Sequence, residues 1–210
     1  LIRHMAKYGK PVILSTGMAD SADIKAAIQA CYKEGNENII LLQCTSLYPA
    51  PAHLSNLAAM KTMHKAFDCL VGYSDHTLGI HVAVAAVALG ACVIEKHFTL
   101  DRTLPGPDHG FAIEPDELSE MIHNIREVEA AIGVGIKDGP SEEESEMYIK
   151  GRRSLHIKRS VSAGEIITRD NICIKRPGYG ILPRLLNKVI GMVVTKDIPE
   201  DHWICWEDFK

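Results

Sequence analysis

The feature that most limits the fold of this chain is a strand-and-helix unit that occurs four times in its first 130 residues. Short β-rich apolar runs at residues 11–15, 38–44, 69–74 and 92–98 are each followed by a longer segment of helical period. The runs are too apolar to have a solvent face, which is typical of strands covered on both sides. Four such units in succession predict a parallel sheet covered by helices, either a doubly wound sheet or part of a (β/α)8 barrel.

The rest of the chain has a different composition. Residues 133–151, "GVGIKDGPSEEESEMYIKG", combine glycine, proline and an acidic run, and a solvated linker is the favoured interpretation. Short strands and turns follow. We therefore divide the chain into a strand-and-helix domain at residues 1–132, a linker at 133–151 and a small β-rich domain at 152–210.

A weak internal repeat lies within the β-rich domain. Residues 157–172 match residues 194–209 at a constant offset, which pairs Val161 with Ile198 and Ile167 with Ile204. Two similar β units related by a local pseudo-twofold would explain this pattern. About 60 residues are enough for a small core of their own.

Composition excludes several classes of function. The chain is 46% hydrophobic and 24% charged with a formal net charge of -4, so it has no basic stripe of the kind that binds nucleic acid. No run approaches the ~18 to 20 apolar residues that cross a membrane, and no signal-peptide pattern opens the chain. The six cysteines form no CxxC pair, which favours a reducing, cytoplasmic location. Because the first residue is leucine, we expect the sequence to be a fragment of a longer one.

Two histidines end consecutive strands of the predicted sheet. In "VGYSDHTLG" the alternation of a strand places Ser74 and His76 on one side and Asp75 on the other. In "VIEKHFTLD" it places Glu95 and His97 on one side and Lys96 on the other. Parallel α/β folds gather their ligand sites at these carboxyl ends. Neighbouring strands lie ~4.8 Å apart, so the two imidazoles are predicted to reach one divalent cation. A lone histidine of this kind would more often be a core residue bonded to a carbonyl group.

The first two strands also end in polar residues. "STGM", which begins at Ser15 and precedes a helix start at Asp20 or Ser21, combines small hydroxyl residues with glycine and exposes backbone amides that suit a phosphate group. The same residues are also common in turns. In "QCTSLYPAP", Ser46 and Tyr48 share one side of the strand end, and Tyr48 is either a site residue or a packed aromatic.

Two loops carry further candidate residues. "LPGPDHG" follows the second histidine strand and presents Asp108 and His109 on a proline-stiffened loop, where a plain surface turn is the alternative. "IKRPGYGILP" in the β-rich domain offers Lys175 and Arg176 before a rigid turn. Surface bases of this kind are usually only solvated.

These motifs, in this order, resemble the sialic acid synthases, which include N-acetylneuraminate, legionaminate and pseudaminate synthases. The resemblance extends over essentially all 210 residues. It implies the C-terminal half of a TIM (β/α)8 barrel followed by a small SAF domain similar to type III antifreeze proteins. It also implies condensation of phosphoenolpyruvate with an N-acylated aminosugar, N-acetylmannosamine or a diamino relative. The phosphate-binding lysines and glutamates of the early barrel strands have no counterpart here, so the chain alone is expected to be inactive.

The resemblance also implies roles for single residues. His76 and His97 correspond to the ligands of a catalytic Mn²⁺ or Mg²⁺ ion. Contacts to phosphoenolpyruvate or the sugar are implied for Ser15, Ser46, Tyr48, Ser74 and Asp108. Arg176 corresponds to an arginine that the SAF domain of one subunit extends into the site of its partner, which makes a domain-swapped homodimer the expected assembly.

Glu95 is a further candidate catalytic residue, because it lies on the His97 side and is able to orient a ligand or a water molecule. A structural carboxylate is the alternative. Two other functions stay open at this stage. A metal-dependent aldolase or sugar-phosphate isomerase would also use two strand-end histidines, and a SAF-type binding module would have no enzymatic activity.

Overall fold

A computed structural model describes the whole chain, residues 1–210, which divides into a first unit, Leu1–Gly135, and a second unit, Ile136–Lys210. In the first unit four strands alternate with helices, which confirms the predicted α/β class. The helices are α1 (Ile2–Ala6), α2 (Ser21–Tyr32), α3 (Ala58–Phe67), α4 (His81–Ala88) and α5 (Pro115–Ile132). The strands are β1 (Val12–Ser15), β2 (Ile39–Cys44), β3 (Leu70–Asp75) and β4 (Ile94–Lys96).

The four strands form one parallel sheet in the order β1-β2-β3-β4. Alternate residues of each strand face the helices, and the side chains of Leu41, Val71 and Tyr73 contribute there to the main core. The intervening residues face the opposite side of the sheet. The inner positions therefore lead, along β3 and β4, directly to the two histidines that follow these strands.

Gly72 allows the close packing of the sheet on this inner side. A Cβ atom at this position would lie 2.5 Å from the carbonyl oxygen of Val93 and 2.6 Å from Cδ2 of Leu42. Only a residue without a side chain fits between these neighbours. The glycine of "VGYSDH" thus allows β3 to lie close to both adjacent strands near the carboxyl end of β3.

The fourth strand is shorter than the predicted run at residues 92–98. β4 ends at Lys96 because the backbone then turns to pair with the segment before α5. The amide of Ile113 donates to the carbonyl of His97 at 2.8 Å, and the amide of Thr99 donates to the carbonyl of Ile113 at 2.9 Å. His97 is therefore held by backbone bonds outside the regular sheet.

The second unit contains helix α6 (Ser145–Gly151), strands β5 (Ser154–Ile157) and β6 (Ile172–Lys175), which pair antiparallel, and the short helix α7 (Leu186–Val189). The predicted linker thus contains a helix. The acidic run that indicated a solvated segment precedes the positive N-terminal end of α6, where negative charge stabilises a helix. The side chains of α6 are exposed, so the helix has no buried apolar face that a sequence pattern would reveal.

Backbone hydrogen bonds of the second unit follow the sequence repeat. Val161 and Ile198, equivalent in the repeat, donate to each other's carbonyl groups at 3.0 and 2.9 Å. The bond from Ile157 to His202 has its equivalent in the bond from Val194 to Glu165, again with the same offset. Reciprocal contacts between equivalent residues are what a twofold relation produces. The two halves therefore pack around a local pseudo-twofold, as the repeat predicts.

Across both units, every helix is too short or too polar to cross a membrane.

Candidate active site

His76 follows β3 and is held by its neighbour strand. Its Nδ1 lies 2.7 Å from the carbonyl oxygen of Thr45, and the residue is 6% exposed. Since a carbonyl group only accepts, the proton of the neutral ring is on Nδ1. The lone pair of Nε2 is therefore available to a ligand.

His97 occupies the equivalent position after β4. The register pairs Ser74 with Glu95 and Asp75 with Lys96, so one residue further His76 comes opposite His97. The two ring centroids lie 5.3 Å apart with an interplanar angle of 69°. The predicted convergence of the two imidazoles is thus what the register produces.

Asp108 lies on the other side of His97. One of its carboxylate oxygens, Oδ2, is 3.6 Å from Nδ1 of His97, an ion-pair distance rather than a direct hydrogen bond. The loop that carries Asp108 is fastened at both ends. Arg102 donates to the carbonyl of Ala112 at 3.0 Å and forms an ion pair with Glu117 on α5.

The same loop has a second anchor around His109. Nδ1 of His109 lies 2.7 Å from the hydroxyl oxygen of Thr99. The hydroxyl group of Thr103 donates to Asp101 and, with the Thr103 amide, lowers the pKa of that carboxyl group. These internal hydrogen bonds give the loop a defined conformation, which a plain surface turn would not need.

Two aromatic rings border the histidine pair. Tyr48 is 4.2 Å from the ring of His76 and 5.7 Å from the ring of His97, measured between centroids. Phe111 is 5.0 Å from His97 and is buried. The site is therefore polar at the imidazoles and apolar beside them, as ligand sites usually are.

Ser74 and Glu95 are bonded to each other across β3 and β4. The Ser74 hydroxyl donates to Oε1 of Glu95 at 2.7 Å, and the serine is 2% exposed whereas the glutamate is exposed. The carboxylate keeps its second oxygen free on the inner side of the sheet. Each residue lies two positions before a histidine in the sequence and on the same side of the sheet.

Ser15 and Ser46 lie further along the strand ends. Ser15 ends β1, which is two strands from β3, so about 10 Å of sheet separates it from the histidine strands. Ser46 follows β2, and a Cβ atom on Gly17 would lie 3.0 Å from its Oγ. Glycine in "STGM" therefore leaves room for this serine.

The amides at the start of α2 are bonded within the cap of the helix itself. The carboxylate of Asp20 accepts hydrogen bonds from the amides of Ala22 and Asp23 at 2.8 and 2.9 Å. An aspartate cap occupies the donors that an anion would use.

Arg176 belongs to the second unit, where it follows β6 and is exposed. Lys175 beside it forms an ion pair with Asp201. Of the two bases, the arginine is the one whose charge is not engaged by a carboxylate in an ion pair.

Comparison with known proteins matches residues 1–137 to the NeuB family and residues 152–210 to the SAF domain. The chain belongs to the NeuB family. It is 45% identical over 205 residues to the N,N'-diacetyllegionaminic acid synthase of Campylobacter jejuni, covering 97% of this chain and 61% of that protein. It is 36% identical to the human N-acetylneuraminate-9-phosphate synthase, covering 96% of this chain and 56% of that protein.

The NeuB-family fold is also found among solved structures. A putative spore coat polysaccharide biosynthesis protein E of Chromobacterium violaceum superposes with a TM-score of 0.70 at 26% identity, covering all of this chain and 63% of that one. The predicted fold, a parallel half-barrel sheet with helices followed by a SAF domain, is confirmed. The chain spans about 61% of the length of such relatives.

Within this NeuB-family site, the histidine pair fits a divalent cation as two of its ligands. Metal-bound histidines commonly donate their other ring N–H to a carbonyl or carboxylate group, as His76 does to Thr45. No group of three or more histidine, cysteine or carboxylate side chains is arranged to hold a metal ion. Further ligands would come from substrate, water or residues outside this chain, as in catalytic sites with open positions.

Sequence reasoning missed two features of the site. Phe111 was not singled out, because one aromatic residue after a loop has no periodic pattern to mark it. Asp75 and Lys96 were placed only on the side opposite the histidines, where the structure joins them in a buried ion pair. Matching of the two strands in register would have revealed this pair, since both residues directly precede a histidine.

Proposed function

We propose that the full-length protein condenses phosphoenolpyruvate with an N-acylated aminosugar, N-acetylmannosamine or a diamino relative, to give a nonulosonic acid and phosphate. C3 of phosphoenolpyruvate forms a bond to the aldehyde carbon, water adds at C2, and phosphate leaves. The observation that carries this proposal is the 5.3 Å separation of the His76 and His97 rings at adjacent strand ends. The names of the relatives, which are synthases of such acids, support it.

A Mn²⁺ or Mg²⁺ ion bound by His76 and His97 would supply Lewis-acid polarisation of the aldehyde oxygen. The chain's own contribution is to fix the two imidazoles. Thr45 keeps the proton of His76 on Nδ1, and the backbone bond from Ile113 holds His97. The ring of His76 and the backbone of His97 are thereby fixed before substrate arrives, which lowers the cost of assembling the site.

The remaining inner residues would bind and orient the substrates. Glu95, with one oxygen bonded to Ser74, presents its other oxygen to the site and is suited to position a water molecule. Asp108 is placed beside His97 to accept hydrogen bonds from sugar hydroxyl groups. Tyr48 and Phe111 exclude water from one side of the imidazoles.

Phosphate and carboxylate groups of phosphoenolpyruvate require hydroxyl and cationic partners. Ser15 and Ser46 would supply hydroxyl groups at the first two strand ends. We assign Arg176 to the site of a second subunit in a homodimer, as its exposed guanidinium permits. A cytoplasmic location, where phosphoenolpyruvate is available, completes the proposal.

The test measures phosphate release by the full-length protein from phosphoenolpyruvate with a panel of N-acetylmannosamine and diamino relatives. We expect release with at least one sugar, loss of release in EDTA, and recovery with Mn²⁺ or Mg²⁺. His97→Ala should be inactive, whereas His123→Ala, an exposed histidine on α5, should retain activity. Full activity of His97→Ala would overturn the assignment. We expect the 210-residue chain by itself to be inactive.

A further inference from the structure

A buried ion pair lies directly beneath the two histidines. Nζ of Lys96 is 2.8 Å from Oδ2 of Asp75, and the two side chains are 5% and 0% exposed. They are register partners on β3 and β4 and face the helix side of the sheet, where their neighbour Tyr73 is part of the apolar core. A buried ion pair is weak evidence for stability, since an apolar pair of similar volume often serves as well. Stability alone therefore does not explain why an ion pair lies at this position.

Lys96 binds the residues on both sides of His76. Besides Asp75, its ammonium group donates to the carbonyl oxygen of Thr77 at 2.6 Å. Asp75 in turn accepts a hydrogen bond from the Thr77 amide through Oδ1 at 2.8 Å. Three bonds thus close the backbone around His76, and they fix the direction in which its imidazole leaves the strand.

The same lysine directly precedes His97. The backbone position of His97 and the backbone on both sides of His76 are therefore tied to one ammonium group. The strand-end turn after β3 cannot rotate relative to β4 without breaking at least one of these buried bonds. Breaking them would leave a charge without a partner inside the core, which is costly.

We propose that Asp75 and Lys96 are positioning residues that set the relative placement of the His76 and His97 imidazoles. This inference rests on the proposed function of those histidines as a cation site. The pair touches neither ring. It acts through the backbone of the residues that carry them, so its removal misplaces the ligands without removing a ligand.

The experiment compares the full-length wild type with the double variant Asp75→Asn/Lys96→Met, which carries no unpaired buried charge at these positions. The single variant Lys96→Met is included, but it leaves Asp75 unpaired and is prone to misfold. Arg126→Met is the matched control, because it removes an exposed ion pair with Glu129 on α5. Each protein is titrated with Mn²⁺, and the imidazole resonances of His76 and His97 are recorded by NMR in metal-free protein.

We expect the folded double variant to bind Mn²⁺ about 10- to 100-fold more weakly, the range typical of residues that orient metal ligands. Its His76 and His97 ring resonances should shift, whereas Arg126→Met should match the wild type in both measurements. Unchanged Mn²⁺ affinity together with unchanged ring resonances would overturn the proposal.

The two proposals fail separately. If the wild type itself binds no Mn²⁺, the proposed cation site fails, and the metal-free NMR spectra then decide the positioning role alone. Shifted ring resonances in the double variant would support that role, and unshifted ones would refute it. Thermal unfolding of every variant shows whether a shift reflects positioning or loss of the fold, because only a misfolded variant loses the cooperative transition.

Discussion

The carbonyl oxygen of Thr45 and Nδ1 of His76 lie 2.7 Å apart. Thr45, the residue directly after β2, therefore determines which ring nitrogen of His76 has a lone pair available to a ligand. This contact can be kept while the proposed ligand atom is removed. Asparagine in place of His76 carries an amide nitrogen at about the position of Nδ1 and nothing at the position of Nε2. The variant therefore separates the structural bond from cation binding.

We expect His76→Asn to keep a free energy of unfolding within about 1 kcal/mol of the wild type, because the bond to Thr45 is retained. Its Mn²⁺ affinity should fall by more than about 100-fold, since loss of a ligand exceeds loss of an orienting neighbour. Urea unfolding and Mn²⁺ titration of the full-length protein measure the two effects. Wild-type Mn²⁺ affinity in this variant would contradict the ligand assignment.

Gly72→Ala should destabilise the first unit. The added methyl group would lie 2.5 Å from the Val93 carbonyl oxygen, which is backbone and does not move aside. Overpacking of this kind costs about 1–3 kcal/mol. Gly110→Ala is the control, because a Cβ atom there meets nothing within 4 Å.

Far-UV circular dichroism in urea measures both glycine variants. We expect a lower midpoint for Gly72→Ala and an unchanged one for Gly110→Ala. Equal midpoints would mean that β3 shifts to accept the methyl group. The close approach of β3 to its neighbours would then not depend on glycine.

Much of this architecture could be predicted from periodicity. Apolar runs alternating with helical segments predicted the parallel sheet, and the two-residue period of a strand placed His76 and His97 on one side. The constant offset between residues 157–172 and 194–209 predicted a local pseudo-twofold, and the reciprocal bonds between Val161 and Ile198 follow it. Each of these signals is local in sequence or repeats at a fixed interval. A single sequence is therefore enough to detect it.

The rest depended on partners that no local pattern specifies. Asp20 and Ser21 are both suitable helix caps, and only the bonds from the amides of Ala22 and Asp23 to Asp20 decide between them. Phe111 reaches the histidines because the segment before α5 pairs with the end of β4. Lys96 was recognised as facing away from the site, but the orientation of one side chain does not reveal that it binds Asp75 and Thr77.

Two buried thiols should make the first unit less stable in alkali. Burial raises the pKa of Cys31 and of Cys69, and at Cys69 a hydrogen bond with Tyr32 acts in the opposite direction. Between the pKa of an unfolded thiol, about 8.5, and the raised value, the folded state holds more protons than the unfolded state. The stabilisation is complete below that pH range and is lost as pH rises through it.

We therefore expect the free energy of unfolding to decrease from pH 8 to pH 9.5, by at most about 1.4 kcal/mol per pH unit for each thiol. Urea unfolding by circular dichroism at several pH values measures the slope. Cys31→Ala should reduce the slope, whereas Cys92→Ala, at an exposed cysteine, should leave it unchanged. An identical slope in wild type and Cys31→Ala would refute the assignment to this thiol.

His156 is a buried residue beside the turn that carries Arg176. Its ring is buried, with Nδ1 3.0 Å from the carbonyl oxygen of Asp201 and Nε2 3.2 Å from that of Pro177. Alanine would leave a cavity and remove the imidazole N–H that donates to one of these carbonyl groups, so we expect a loss of about 2–4 kcal/mol. Ser154 would still donate to the carbonyl oxygen of Pro177 at 2.6 Å. The turn should therefore keep this hydrogen bond in the variant.

Tryptophan fluorescence isolates this effect, because the two tryptophans of the chain, Trp203 and Trp206, both lie in the second unit. The Trp203 ring is also 6.5 Å from His156. His156→Ala should lower the urea midpoint seen by fluorescence. His123→Ala, at an exposed side chain of α5, should change that midpoint by less than the equivalent of about 0.5 kcal/mol. If His156→Ala left the fluorescence midpoint unchanged, the buried imidazole would not stabilise the second unit, which would contradict the prediction.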